Sequence, residues 1–158
     1  MASPTATLKL DEFMPYLVNV LAARLSADLA AIYETRFGIT IPEWRVIAHL
    51  AGNQRVSIRE IYARVGMDKV KVSRAAGSLE AAGLVSKTVN PADRRLVSLE
   101  LTVKGQSVYA AIVPLALEFQ TASLSALTAD ERAEFQRLVH KLLASMGERT
   151  APEADATA

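Results

Sequence analysis

Apolar residues recur at Leu10, Phe13, Met14, Leu17, Leu21, Leu25, Leu29 and Ile32, a spacing of threes and fours that predicts a helix over residues 10–37. Pro15 falls near its start, so the helix either begins there or is kinked there. Gly38 ends it, and residues 40–51 form a second helix with Ile41, Trp44, Ile47 and Ala51 on one face. Ser57 and Glu60 are spaced as a capping box. They open a third, short helix with Ile58, Ile61, Tyr62 and Val65 as its apolar stripe. Gly66 makes a turn, and Asp68 is placed to cap a fourth helix over 69–82, whose Val72, Ala76 and Leu79 face inward.

The period then changes. Residues 84–89 and 96–101 read as two strands, with Val97, Leu99 and Leu101 alternating with Ser98 and Glu100 as a half-buried strand requires. Between them lies the turn Asn90-Pro91-Ala92-Asp93-Arg94-Arg95. Thr102 opens another long helix to about residue 127, which Pro114 should bend. Thr128 and Glu131 form a second capping box, leading a helix with Phe135, Leu138, Leu142 and Met146 on one face. Residues 148–158, small and polar without periodicity, read as a disordered tail.

The order helix, helix, helix-turn-helix, hairpin, helix, helix predicts a mainly α protein with a small β-hairpin wing. It is a winged helix-turn-helix over 40–101 flanked by long terminal helices, 10–37 and 102–147, within one domain of residues 1–147. The stripes of the terminal helices are too extensive for one chain to bury, which predicts a two-fold dimer.

Charge sharpens this picture. The net charge is +1, but residues 55–104 hold ten cations against five anions, and the rest of the chain eight against twelve. A basic patch within a nearly neutral protein is the electrostatic footprint of a phosphate-binding face. The absence of cysteine removes disulfides and thiolate zinc sites. The two histidines, His49 and His140, lie far apart without a close companion, so neither a metal nor a cofactor is expected. No uninterrupted apolar run of membrane length and no secretory signal pattern occur, so the expectation is a cytoplasmic protein without a membrane partner.

A helix entering the major groove N-terminus first would present Lys69, Val70, Lys71, Ser73 and Arg74, with Ser57 at the cap of the preceding helix. Arg74 has the fork that pairs with guanine O6 and N7. Lys71 either reads a base or touches only phosphate. Gly77, on the same face as Arg74, either allows close approach to DNA or is a tolerated interruption. At the hairpin tip, Arg94 or Arg95 can enter a narrow minor groove. Asp93 supports the wing, by pairing with Arg95 or by capping the turn.

These residues resemble a known family. Val65-Gly-Met-Asp-Lys-Val-Lys-Val-Ser-Arg74, then Leu79-Glu-Ala-Ala-Gly-Leu-Val85, then Asn90-Pro-Ala-Asp-Arg-Arg95 and Leu101-Thr-Val-Lys-Gly105 are similar to the signature of the MarR (multiple antibiotic resistance regulator) transcription factors. The resemblance covers residues 10–146. It implies a homodimer on a pseudo-palindromic double-stranded DNA operator, often a repressor released by a small aromatic or anionic effector. It places base reading on Val70, Lys71 and Arg74 and the wing arginine on Arg95 or Arg94. It also places a ligand pocket between the dimerisation helices and the DNA-binding lobe, near Tyr16, Trp44, Arg45 and His49. Lys87 departs from the arginine common in the family. Arg45 and His49, four residues apart, can jointly face an anion; the competing reading makes Trp44 core and Arg45 a surface or interdomain ion pair. No catalytic triad, metal cluster or phosphate loop marks an enzyme. The runner-up function is a winged helix used only for protein contacts.

Overall fold

The computed structural model describes residues 7–53, 56–89 and 97–149, and its contacts divide the chain into two compact units, Met1–Glu118 and Phe119–Ala158. The first unit holds α1 (Met14–Phe37), α2 (Ile41–Ala51), β1 (Val56–Ser57), α3 (Ile58–Arg64), α4 (Lys69–Ala81), β2 (Val85–Val89), β3 (Val97–Leu101) and most of α5 (Val103–Ser123). The second holds the end of α5 and α6 (Ala129–Arg149).

The first helix starts at Met14 rather than at residue 10. Pro15 occupies its first turn, where the missing N–H is no loss; a helix already running from residue 10 would meet the proline ring with a carbonyl of its preceding turn. Residues 10–12 make a turn instead, with the Phe13 amide donating to the Leu10 carbonyl at 3.3 Å. The apolar repeat of α1 then divides by environment. Ala30 and Tyr33 are buried and Leu29 and Phe37 pack against the core, whereas Leu10, Phe13, Met14, Leu17, Val18 and Leu21 are exposed. By length and composition α1 is apolar enough to cross a membrane, which the sequence reading had not recognised because charged and polar residues interrupt the run.

On α2 the fully buried positions are Val46, Ile47 and Leu50, with Ile41, Trp44 and Ala51 half-buried at the margins. The buried face is therefore rotated from the one predicted. A capping box unnoticed in the sequence starts this helix: the Glu43 carboxylate accepts from the Thr40 amide and hydroxyl at 2.8 Å each, and Thr40 Oγ1 accepts from the Glu43 amide at 3.5 Å. Ile39, Val56 of β1, Ile61 of α3, four residues of α4 (Val72, Ala75, Ala76, Leu79), Leu84, Val85, Leu99, Leu101 and Ile112 complete the core.

The sheet has three strands in the order β1-β3-β2, all antiparallel. The predicted hairpin is β2 with β3, in register from Val85↔Leu101 to Val89↔Val97. The extra strand pairs Val56 with Leu99 and Ser57 with Ser98. Two residues are too few to display a period of two, so only the fold reveals β1.

In the second unit Thr128 and Glu131 form the predicted capping box, with the Thr128 amide donating to Glu131 Oε2 at 2.8 Å. Helix α5 accommodates Pro114 and stops at Ser123, short of the expected residue 127. Arg132 Nε donates to the Leu124 and Leu127 carbonyls at 3.0 Å each, satisfying acceptors left over where the helix ends. Helix α6 continues to Arg149, past the predicted domain boundary at 147; residues 150–158, the rest of the expected tail, lie outside the described residues. Phe135, Leu138, Val139, Leu142, Leu143 and Met146 of α6 are all exposed.

Candidate nucleic-acid interface

Two caps set the helix-turn-helix. Ser57 Oγ donates to Glu60 Oε2 at 2.7 Å and accepts from the Glu60 amide at 3.2 Å, which starts α3. Bonds from the Ser57 amide and hydroxyl hold the Glu60 carboxyl below its usual pKa. After the turn, Asp68 Oδ1 accepts from the Lys71 amide at 2.8 Å and starts α4. That backbone bond is the main reason the Asp68 carboxyl titrates lower than an ordinary aspartate, with the Lys71 ammonium contributing from 3.5 Å. The ion pair is exposed on both sides, so the cap orients the chain more than the pair does.

With its inner row buried, α4 turns Lys69, Val70, Lys71, Ser73, Arg74, Gly77 and Ser78 outward, all exposed. Val70 keeps 59% of its surface open to solvent, unusual for a branched apolar residue in a helix that has a core to pack against. Arg74 has no ion pair among the described residues, and Lys71 and Arg74 border a cleft of about 250 Å³ with Thr40, Pro42, Glu43, Ala75 and Ser78. Glu43, only 8% exposed, braces this face from behind. Burial acts to raise its pKa, but hydrogen bonds from Ser78 and from Thr40 outweigh it and keep the carboxyl below its usual value. The Glu43–Ser78 contact ties α2 to α4, and sequence periodicity had no means of showing it.

The predicted site residues therefore fall into three groups. Lys69, Val70, Lys71, Ser73 and Arg74 share the outer side of α4. Ser57 is half-buried, with its hydroxyl engaged in the α3 cap. Asp93, Arg94 and Arg95 lie outside the described residues; the strands leading to them expose Lys87, Thr88 and Val89.

Of the predicted ligand residues, Trp44, Arg45 and His49 all lie on α2. The Trp44 ring meets Tyr33 at 5.7 Å, tilted by 32°, and Tyr109 at 5.9 Å, nearly parallel at 20°. Burial, assisted by Glu34 and opposed by Arg45, pushes the Tyr33 hydroxyl up to about 12. His49 Nε2 is shielded from solvent and has no hydrogen-bond partner among the described residues. Tyr16 is not with them: it precedes Tyr33 by seventeen positions on the same helix, about 25 Å along the axis. Sequence reading missed Tyr33 and Tyr109, whose aromatic character was visible but whose meeting at Trp44 was not. A separate cavity of about 420 Å³ opens between the C-terminal end of α2, the end of β3 and the start of α5, with Asn53, Gln106 and Tyr109 in its wall. Neither Trp44, Arg45 nor His49 lines it.

A capped helix that buries one side and offers cations on the other, carried beside a three-stranded wing sheet, defines the winged helix-turn-helix class of DNA-binding regulators. The MarR family model matches residues 37–96. A MarR/EmrR family transcriptional regulator from Acinetobacter is 27% identical with a TM-score of 0.79, over 89% of this chain and 99% of that one. The PcaV transcriptional regulator of Streptomyces coelicolor, solved in complex with its natural ligand, is 25% identical with a TM-score of 0.72, over 90% and 99%. The transcriptional repressor NicR of Pseudomonas putida is 30% identical over 86 residues, and the alignment spans 54% of each chain, about half the length of that relative. The chain is thus similar to the MarR family of regulators, in sequence over residues 37–96 and in fold over most of its length.

Proposed function

We propose that this protein is a sequence-specific transcriptional regulator that binds a pseudo-palindromic DNA operator as a homodimer and represses nearby genes until a small aromatic or anionic ligand lowers its affinity. The observation that carries the reading is the outer side of α4, where Lys69, Lys71 and Arg74 stand exposed beside Val70 while the inner row is locked in the core. It acts by binding, in the cytoplasm where its operator lies, and not by catalysis.

The exposed apolar residues at the N-terminal end of α1 and along α6 support the dimer, because surfaces of this kind call for a partner. The stack on Trp44, with Arg45 and His49 on the same helix, supports the ligand reading, since an indole and a cation suit an aromatic carboxylate. Arg94 and Arg95 are assigned to the wing on sequence grounds.

A gel shift on duplex DNA across a salt series tests the function. Affinity should fall steeply and linearly on logarithmic axes as phosphates release counterions. No shift on any duplex at low salt would leave the winged helix as a protein-contact module. Salicylate-type carboxylates should quench or shift the fluorescence of Trp44, the sole tryptophan, and move the operator binding curve; the pocket assignment fails if they do neither.

A further inference from the structure

The segment Leu101-Thr-Val-Lys-Gly105, singled out in the sequence, has a physical task that DNA contact does not explain. It lies at the junction of β3 and α5 and meets the far end of the recognition helix. Three bonds cross that junction. Thr102 Oγ1 donates to the Gly83 carbonyl at 2.7 Å, Lys104 Nζ donates to the Ala82 carbonyl at 2.8 Å, and the Thr102 amide donates to the Leu84 carbonyl at 3.1 Å. The same Thr102 hydroxyl accepts from the Gly105 amide at 3.0 Å, so one oxygen caps α5 and holds the turn that ends α4. Gly105 is required by space: a Cβ there would overlap the Leu84 carbonyl oxygen.

The turn on the other side is equally specified. Gly83 has φ +71, its amide returns to the Glu80 carbonyl at 2.9 Å, and the Leu84 amide returns to the Leu79 carbonyl at 2.9 Å. These bonds satisfy acceptors of the last helical turn, and the carbonyls of Ala82, Gly83 and Leu84 are taken by Lys104 and Thr102. The Lys104 ammonium also faces the negative end of the α4 dipole.

We propose that Thr102 and Lys104 are positioning residues that clamp the C-terminal end of α4 to the first turn of α5 and so set the angle at which the helix presents Lys71 and Arg74. The 13 residues of α4 span about 20 Å, so a tilt of about 5° at the clamped end moves its first turn by about 2 Å, enough to break hydrogen bonds to base edges. The clamp also gives displacements of α5 a direct route to the recognition helix. The inference rests on the DNA-binding reading for its consequence but not for its geometry.

The test uses Lys104→Met, which keeps the aliphatic stem and removes the donor, with Lys104→Arg as the conservative variant, both in the full chain. In the free protein, amide hydrogen exchange at Gly83 and Leu84 should quicken about tenfold in Lys104→Met and return toward wild type in Lys104→Arg. On an operator duplex Lys104→Met should bind about tenfold more weakly, with affinity for unrelated duplex and the salt slope both unchanged. A slope that falls by about one, with equal weakening on every sequence, would make Lys104 a phosphate contact and overturn the proposal. Unchanged exchange, or unchanged operator affinity, would overturn it as well. The exchange measurement needs no DNA, so failure of the wild-type protein to bind any duplex would strike the functional reading separately from the clamp.

Discussion

Helices α4 and α6 are both amphipathic and both begin at a side-chain cap, yet they treat their apolar rows in opposite ways. On α4 the row of Val72, Ala75, Ala76 and Leu79 is buried within its own chain, and the charges are turned outward with Arg74 held by no counter-ion among the described residues. On α6 the row of Phe135, Leu138, Leu142 and Met146 is exposed, while Arg137 is held by Glu134 at 2.6 and 2.7 Å. The same pattern in sequence thus serves two ends. Where the chain supplies its own cover, the polar side is turned to solvent; where it does not, the apolar side stays exposed.

The largest effect should come from breaking the uncovered row. If a second copy covers it, Leu142→Glu places an unpaired charge in that seam, at a cost of roughly 3–5 kcal/mol. Sedimentation should show monomers at micromolar concentration, and operator binding should collapse with the dimer. A variant that stays dimeric would remove α6 from the interface.

Next comes the outer side of α4. Arg74→Ala should weaken operator binding by about 1–3 kcal/mol and relax preference at one base position in each half-site. Competition between single-base operator variants measures this, and equal weakening on all of them would reduce Arg74 to a phosphate contact. Arg95→Ala should instead lower the salt slope by about one with little change in base preference.

A smaller effect concerns the cap that begins α4. Because bonds to its ionised form hold the Asp68 carboxyl below its unfolded value, its contribution is present above the ordinary aspartate pKa and is lost as pH falls through the folded one. Asp68→Ala should lower the melting temperature by a few degrees at neutral pH and flatten its decline in acid. Asp68→Asn should keep most of the stability, since asparagine caps as well, yet lose the acid dependence. Equal acid profiles for wild type and Asp68→Asn would show that the cap does not titrate with folding.

The smallest test is on Gly77. A Cβ there would meet nothing within 4 Å, so Gly77→Ala should stabilise the free protein by about 0.5–1 kcal/mol. Thermal melts measure that gain. Operator affinity is expected to hold, and a loss would show that this glycine lets the helix approach DNA closely.

Much of this architecture was legible from local rules. The caps at Ser57, Asp68 and Thr128 depend on residues three apart, the α4 core row on spacing of three and four, and the β2–β3 hairpin on alternation around a turn. Each operates within one or two turns of chain, so the sequence displays it directly. The segregation of charge into residues 55–104 and the fit to a winged helix followed from the same information.

Tertiary structure decided what depends on distant partners. Strand β1 exists because β3 lies beside it, Glu43 reaches Ser78 because α2 packs on α4, and Trp44 meets two tyrosines because Tyr33 and Tyr109 arrive from α1 and α5. It also parted Tyr16 from Trp44, which a list of suitable side chains had put together. The Leu101–Gly105 motif stood out in the sequence, but its clamp on Ala82, Gly83 and Leu84 could be read only in three dimensions. Periodicity records which side of an element is apolar, whereas the partner that covers it is set by packing between residues far apart in the chain.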